Sequence, residues 1–398
     1  MSIEYLNSCW QKANAALKDS QNFRKPILYF RNNREQNIRL DFSTNDYLGI
    51  RHDARIIESG YCAAMRNGAG TASSRMVLQT DDNLLELEDY FSKSIGLAYS
   101  LYFSSGFMAN IALFDALSTF MFDEENLSQE LFVDHRCHAS IYLGFRNSKI
   151  KSTIFRHLDF ENLEQKLKQS SARAKIIVIE SLFSMDGDYF DAVQLNHICE
   201  KYNANIIIDE THSIGLQRAG SYLAEHIFLK KYIIAIVSGC GKALGVAGGF
   251  ISTDYHELKL RIMQKAKPLI YSTAAPPFVV GALLQSLKII FSDEGDCKRI
   301  KLIENIEYLK NKILCLIENN KKFCLNINDL KVHRSHIFPI IFGENLLVLN
   351  KVSELLKCGI LVKEIRPPSV PRGTARLRVI LRSDHSKRDI DELLENIV

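Results

Sequence analysis

One apolar segment runs through Ile208 into Asp209-Glu210-Thr211-His212, and a second runs through Val237 into Ser238-Gly239-Cys240-Gly241-Lys242. A carboxylate delivered at the end of a buried strand can keep a pyridine nitrogen protonated, which makes the ring an electron sink, while a lysine among small residues can form an imine with an aldehyde. His212 shares the turn with Asp209 and is placed to reach a phenolic oxygen on the same ring. Alone, an aspartate after a strand is more often a turn or capping residue, and a lone lysine is more often a solvated charge. Their order and setting together describe a pyridoxal phosphate site, with Asp209 and Lys242 as its chemical pair.

Three other segments fit the same chemistry. At Phe103-Ser104-Ser105-Gly106-Phe107 an apolar run ends in small residues and enters a helical pattern. Exposed backbone N–H groups of Gly106 and Phe107, aided by the helix dipole, would cradle a phosphate. In isolation this is an ordinary strand-to-helix turn. Asp134-His135-Arg136-Cys137-His138 sets His138 just past another apolar run, where an imidazole can stack on a flat ring, although a lone histidine there is more often a cap or core residue. Glu180-Ser181-Leu182-Phe183-Ser184 is a third such exit, with Ser184 placed to donate toward the ring. Ser238 supplies a further hydroxyl beside the lysine.

These residues need a scaffold that brings several strand ends together. Residues 101–103, 131–134, 176–180, 206–209 and 233–237 are short apolar runs separated by amphipathic stretches. Continuous apolar strands alternating with helices predict a parallel sheet covered on both faces, with its ligand beyond the carboxyl ends of the strands. The spacing predicts an N-terminal helix and arm over 1–49, a large α/β domain over 50–290 and a smaller C-terminal α/β domain over 291–398. The last of these carries a long lysine-rich helix, strands near 337–342 and 377–381, and a closing helix. In that helix Ile390, Leu393, Leu394 and Ile397 form one stripe, and Ser386 with Asp389 forms a capping box.

Composition sets the outer limits. The 398 residues are 46% hydrophobic and 24% charged, ordinary globular material rather than a disordered chain. A net charge of +4, with no arginine-rich tract and no zinc-type Cys/His spacing, argues against a nucleic-acid partner or a metal centre. Nine cysteines without a CxxC pair suit reduced thiols in a cytoplasmic protein. The first residues lack a basic-then-apolar leader, and the apolar run at 232–237 is too short to span a bilayer.

The chain also resembles a known family, the α-oxoamine synthases. The resemblance rests on Asn45-Asp46-Tyr47-Leu48-Gly49, Gly68-Ala69-Gly70 through Ser74-Arg75, Ser105-Gly106-Phe107, His138-Ala139-Ser140, Phe183-Ser184-Met185-Asp186-Gly187-Asp188, Asp209 with His212, and Lys242. It implies the fold of type I pyridoxal phosphate transferases, the aspartate aminotransferase-like fold, with a mainly parallel seven-stranded sheet in the large domain. It also implies an acyltransferase that condenses an amino acid with an acyl thioester and releases carbon dioxide. Lys242 would be the general base and cofactor anchor, Asp209 the partner of the pyridine nitrogen, and His138 a ring-stacking group that also meets the reacting carbonyl.

Within the family, Leu269-Ile270-Tyr271-Ser272-Thr273, Ser292-Asp293-Glu294-Gly295-Asp296 and the run from Ile365 to Arg378 look most like the members that join L-alanine to a pimeloyl thioester in biotin synthesis. The carrier would be coenzyme A or acyl carrier protein. By the same resemblance Arg378 would hold the amino acid's carboxylate, Arg24, Asn45 and Ser369 would contact substrate, and Ser272 and Thr273 would reach the cofactor phosphate of a second subunit in a homodimer. The chain departs from the pattern at Gly239, where the family usually has threonine, at Thr211, where it usually has alanine, and at Leu78-Gln79-Thr80-Asp81 and Gly215 to Gly220. A synthase using another amino acid or acyl chain, and a non-catalytic homologue that pairs with an active subunit, are the competing expectations.

Overall fold

A computed structural model describes residues 3–23, 38–77, 82–118, 128–217, 220–318 and 327–397. Arg24 and the segment 78–81 lie outside these described residues. The chain divides into two compact units. The larger comprises 45–184 and 188–302, and the smaller comprises 1–44, 185–187 and 303–398.

The larger unit is built on a seven-stranded sheet. Across the sheet the strands run Tyr99–Phe103, Gly249–Thr253, Ile233–Gly239, Ala204–Asp209, Ala174–Glu180, Gln129–Asp134 and Lys151–Phe155. All are parallel except Gly249–Thr253, which is antiparallel to both neighbours. The central strands are continuous apolar runs because neither face meets water, and Ile206, Ile207 and Ile208 are all buried. Two strands escape the apolar-run reading of the sequence. Lys151–Phe155 is an edge strand whose Lys151 and Ser152 face solvent, and Gly249–Thr253 is short and rich in glycine and hydroxyl residues.

Register places the chemistry. Glu180 lies opposite Asp209, and Asp209 lies opposite Val237, so two strands finish level while the third, Ile233–Gly239, runs two residues further. The loop carrying Gly239 and Lys242 therefore leaves the sheet beside the turn carrying Asp209 and His212. That turn is held from below by Glu210, which is fully buried and accepts the N–H groups of Tyr222 at 3.1 Å and Leu223 at 3.0 Å. Burial pushes the Glu210 carboxyl up to about 7, against the pull of those two donors.

The smaller unit holds a three-stranded antiparallel sheet in the order Lys363–Ile365, Ala375–Ile380, Ile337–Gly343, and a short parallel pairing of Leu40–Asp41 with Ile360–Leu361. Its closing helix, Lys387–Ile397, starts with a reciprocal cap: Ser386 N–H donates to Asp389 at 2.8 Å and Asp389 N–H donates to Ser386 Oγ at 3.2 Å. Ile390, Leu393, Leu394 and Ile397 are buried on one face, the stripe that their spacing predicts. The N-terminal helix, Ile3–Asp19, buries none of its residues. Among the described residues, no helix is long and apolar enough to cross a membrane, and no cluster of three or more His, Cys, Asp or Glu could hold a metal ion.

One charged network ties the far edge of the large sheet together. His157 lies between two carboxylates, with Nδ1 3.0 Å from Asp134 and Nε2 2.7 Å from Asp188. Burial opposes its charge, but the hydrogen bonds to Asp134 and Asp188 outweigh burial and bring the imidazole up to about 9. A folded-state value above the ordinary 6.5 means that protonated His157 stabilises the fold. That contribution is whole below about pH 6.5 and is lost as pH rises through about 9. Thermal unfolding of His157→Gln beside the parent protein tests this. The variant is expected to melt lower at pH 7, with the gap closing by pH 10, and a constant gap across that range would contradict the network's role.

Candidate active site

A cleft of about 340 Å³ opens at the carboxyl ends of the large sheet, entirely within the larger unit. Its lining includes Gly106 and Phe107 from one strand exit, His138 and Glu180 from two more, and Asp209, His212 and Lys242 from the central pair. Asn45 also lines it.

Asp209 sits at the floor, buried, with both carboxylate oxygens engaged. Asn110 Nδ2 donates to Oδ2 at 2.7 Å and the Thr211 N–H donates to Oδ1 at 2.9 Å. The neighbouring carboxyl of Glu180 is also buried, and it accepts the backbone N–H of His138. Two adjacent buried carboxylates cannot both ionise cheaply. Burial, reinforced by the Asp209 charge, pushes Glu180 well above the usual carboxylate range. Proton uptake at this pair is thus favoured on Glu180, while Asp209 presents its carboxylate to the cleft, where a protonated pyridine nitrogen would pair with it.

Asn110 does a second job. Its Nδ2 also donates to Ser140 Oγ at 3.0 Å, and Ser140 Oγ lies 2.7 Å from His138 Nδ1. The Ser140 backbone N–H points at the same Nδ1 at 3.2 Å, so that nitrogen is an acceptor and the His138 proton sits on Nε2. Burial holds the His138 imidazole below its ordinary value, with the Lys242 charge acting the same way and Asp209 opposing. His138 is thus a neutral donor, oriented by a chain of hydrogen bonds that begins at Asp209.

On the other side, His212 bridges Tyr47 and Lys242. The Tyr47 hydroxyl donates to Asn45 Oδ1 at 3.1 Å and lies 2.7 Å from His212 Nδ1, while Lys242 Nζ lies 2.5 Å from His212 Nε2. With the tyrosine proton on Asn45, Nδ1–H donates to the phenol oxygen and Nε2 accepts from Lys242. The amine is held over the cleft by this arrangement.

The phosphate end is defined by close backbone packing. Gly106 opens the helix Gly106–Leu117, which Ser105 caps by accepting the Met108 N–H at 3.2 Å. A Cβ on Gly106 would lie 3.0 Å from the Cα of Gly239, and one on Gly249 would overlap the Gly106 amide nitrogen. Glycine at these positions lets three chain segments meet and leaves the helix N-terminus open to an anion. A hydrogen-bonded buried carboxylate, a reachable amine, an imidazole and an anion cradle in one cavity fit pyridoxal phosphate. Asp209 would pair its ring nitrogen, Lys242 its aldehyde carbon, and Gly106 and Phe107 its phosphate.

Not every residue singled out in the sequence reaches this cleft. Ser238 is fully buried with no partner for its hydroxyl, and it is not among the lining residues. Successive strand residues face opposite ways, so Gly239 takes the cleft side and Ser238 the other. Ser184 lies in the turn after its strand, off the lining. Ser272 and Thr273 line a separate cavity of about 240 Å³, which shares Ser104 and Ala247 with the cleft. Ser369 and Arg378 belong to the smaller unit, where Arg378 is buried on the strand Ala375–Ile380. Sequence reasoning missed Asn110, Glu180 and Tyr47 as working residues. The available signal is a polar Asn110 among apolar neighbours in the mostly apolar helix Gly106–Leu117.

Comparison with known proteins agrees with this chemistry. The class I and II aminotransferase family matches residues 37–397. The 8-amino-7-oxononanoate synthase of Janthinobacterium sp. (strain Marseille) is 34% identical over 360 residues, 89% of this chain and 87% of its own length. The enzyme of the same name from Cupriavidus metallidurans is 35% identical over 363 residues, covering 90% and 86%. Among solved structures, 8-amino-7-oxononanoate synthase from Francisella tularensis superposes with a TM-score of 0.71 at 26% identity, covering 90% of this chain and 96% of that one. The fold is also that of serine palmitoyltransferase from Sphingomonas wittichii, with a TM-score of 0.85 at 23% identity and coverage of 100% and 97%. The chain belongs to the class I and II aminotransferase family and, within it, to the α-oxoamine synthases.

Proposed function

We propose that this protein joins L-alanine to a pimeloyl thioester with loss of carbon dioxide, the reaction of 8-amino-7-oxononanoate synthases, using pyridoxal phosphate held in the cleft. The observation that carries the chemistry is the convergence of His138, His212-held Lys242 and buried Asp209 on one cavity. The choice of substrates rests on relatives of that activity at 34–35% identity over about nine-tenths of the chain.

When bound, the cofactor supplies an electron sink that acidifies the α-carbon of an amino acid. The protein does the rest. Lys242 takes the α-proton as a general base, with His212 holding its Nζ in place. The α-carbon then bonds to the thioester carbonyl carbon as the carbon–sulfur bond breaks, and the departing thiolate takes its proton from water. Loss of the alanine carboxyl group as carbon dioxide frees an electron pair on the same carbon, which a proton returned by Lys242 satisfies. His138 Nε2–H is the donor facing the reacting carbonyl oxygen, where negative charge develops. Arg378, with its planar guanidinium, is the proposed partner of the amino acid's carboxylate. Arg24, Asn45 and Ser369 are proposed contacts of the acyl substrate. The thiol carrier is coenzyme A or acyl carrier protein, and the working form in this reading is a homodimer in which Ser272 and Thr273 serve the second subunit's phosphate.

Thiol release tests the substrate assignment. With cofactor and a pimeloyl thioester present, release should depend on alanine and fall sharply with glycine or serine. Equal or greater release with another amino acid, or with a long-chain acyl thioester in place of pimeloyl, would move the function to a different member of the family. Lys242→Ala should lose the visible absorbance of the bound cofactor and lower turnover by about 10²- to 10⁴-fold, the range for removing a positioned acid–base group. Full turnover in that variant would overturn the mechanism.

Asn110→Ala tests the clamp. It removes a hydrogen bond to a charged group worth about 1.5–3 kcal/mol, so kcat/KM should fall by roughly 10- to 100-fold with the fold intact. An unchanged kcat/KM would mean that Asp209 and His138 are held by other groups.

A further inference from the structure

We propose that Thr211 is a cofactor-anchoring residue of this chain, its side chain standing in the space of a missing side chain at Gly239 and its hydroxyl serving the phosphate end of the cleft. The inference rests on the reading of the cleft as a pyridoxal phosphate site. Its basis is steric. A Cβ on Gly239 would lie 2.7 Å from Thr211 Cγ2, closer than real Cβ atoms approach their neighbours, and 3.0 Å from Thr211 Oγ1, tighter than most such contacts. Positions 211 and 239 therefore compete for one volume, and in this chain Thr211 occupies it.

The hydroxyl is aimed at an anion site. Thr211 Oγ1 lies 3.3 Å from where a Cβ on Gly106 would stand, and Gly106 is the first residue of a twelve-residue helix. Thr211 lines the cleft, and its own N–H is fixed to Asp209 Oδ1 at 2.9 Å, which limits where its side chain can go. One residue thus links the ring end of the cleft, through its backbone, with the phosphate end, through its side chain. Ser238 cannot take this part, because its hydroxyl is buried off the cleft. The two departures at 211 and 239 become a single exchange, in which a hydroxyl is delivered from the strand bearing Asp209 instead of the neighbouring strand.

The pairing predicts reciprocal effects. Thr211→Val keeps the shape and removes the hydroxyl, Thr211→Ser keeps the hydroxyl, and Gly239→Thr adds a side chain to a filled volume. Apo-protein of each, and of the Thr211→Ala/Gly239→Thr double variant, is titrated with pyridoxal phosphate by absorbance and, separately, with pyridoxal, which lacks the phosphate. Thermal melting without cofactor reports packing.

Thr211→Val should bind pyridoxal phosphate about 10-fold or more weakly, as expected for a lost hydrogen bond to a charged group, with pyridoxal affinity unchanged, and Thr211→Ser should stay close to the parent. Gly239→Thr alone should melt lower, and the double variant should recover both melting and cofactor affinity. Parent-like pyridoxal phosphate binding by Thr211→Val, an equal loss for pyridoxal, or a double variant no better than Gly239→Thr would overturn the proposal. Failure of the parent protein itself to bind pyridoxal phosphate would instead overturn the cofactor reading on which it stands.

Discussion

The site depends on presenting one carboxylate to a cavity inside a protein. Asp209 lies at the end of a central strand, out of water, where an isolated negative charge is costly. Three features offset that cost. Asn110 and the Thr211 amide donate directly to it, burial and the Asp209 charge push the neighbouring Glu180 well above the usual carboxylate range, and the carboxylate lines a cavity suited to a cationic ring. Remove the charge and the other parts lose their purpose, because a lysine and a histidine above a neutral floor have no electron sink to work with.

The sheet makes this arrangement available at little cost in chain. Glu180 and Asp209 end level on adjacent parallel strands and the next strand runs two residues past Val237 to Gly239, so the loops that follow start beside one another. His138 and Gly106 arrive the same way, from strand exits that open helices. Orientation then passes sideways through hydrogen bonds: Asp209 to Asn110, Asn110 to Ser140, Ser140 to His138. Asp209 at the floor of the cleft is thereby coupled to His138 in its lining. A shift of any one of these strands by a single residue would turn its side chains to the opposite face and break the chain of contacts.

Much of this was legible before the structure, for a physical reason. Buried parallel strands must be continuously apolar, so the polar residues that follow them stand out, and Asp209, His212, His138 and Lys242 were found that way. Edge strands obey a weaker rule, and Lys151–Phe155 passed unnoticed because one of its faces is wet. Asn110 and Glu180 were illegible for another reason: their work depends on which oxygen or nitrogen they meet across the sheet, and spacing along one chain does not encode that. Ser238 shows the converse. Its type and position in the sequence suited a phosphate ligand, but strand alternation turns it away, and the hydroxyl available at the cleft belongs to Thr211.

The most direct test is to load the protein with pyridoxal phosphate, reduce it with borohydride so that any imine becomes a stable bond, digest it and locate the modified peptide by mass. The geometry predicts a single modification, on Lys242, that is blocked when alanine is added before reduction. Modification of a different lysine, or none at all, would contradict the account of the cleft.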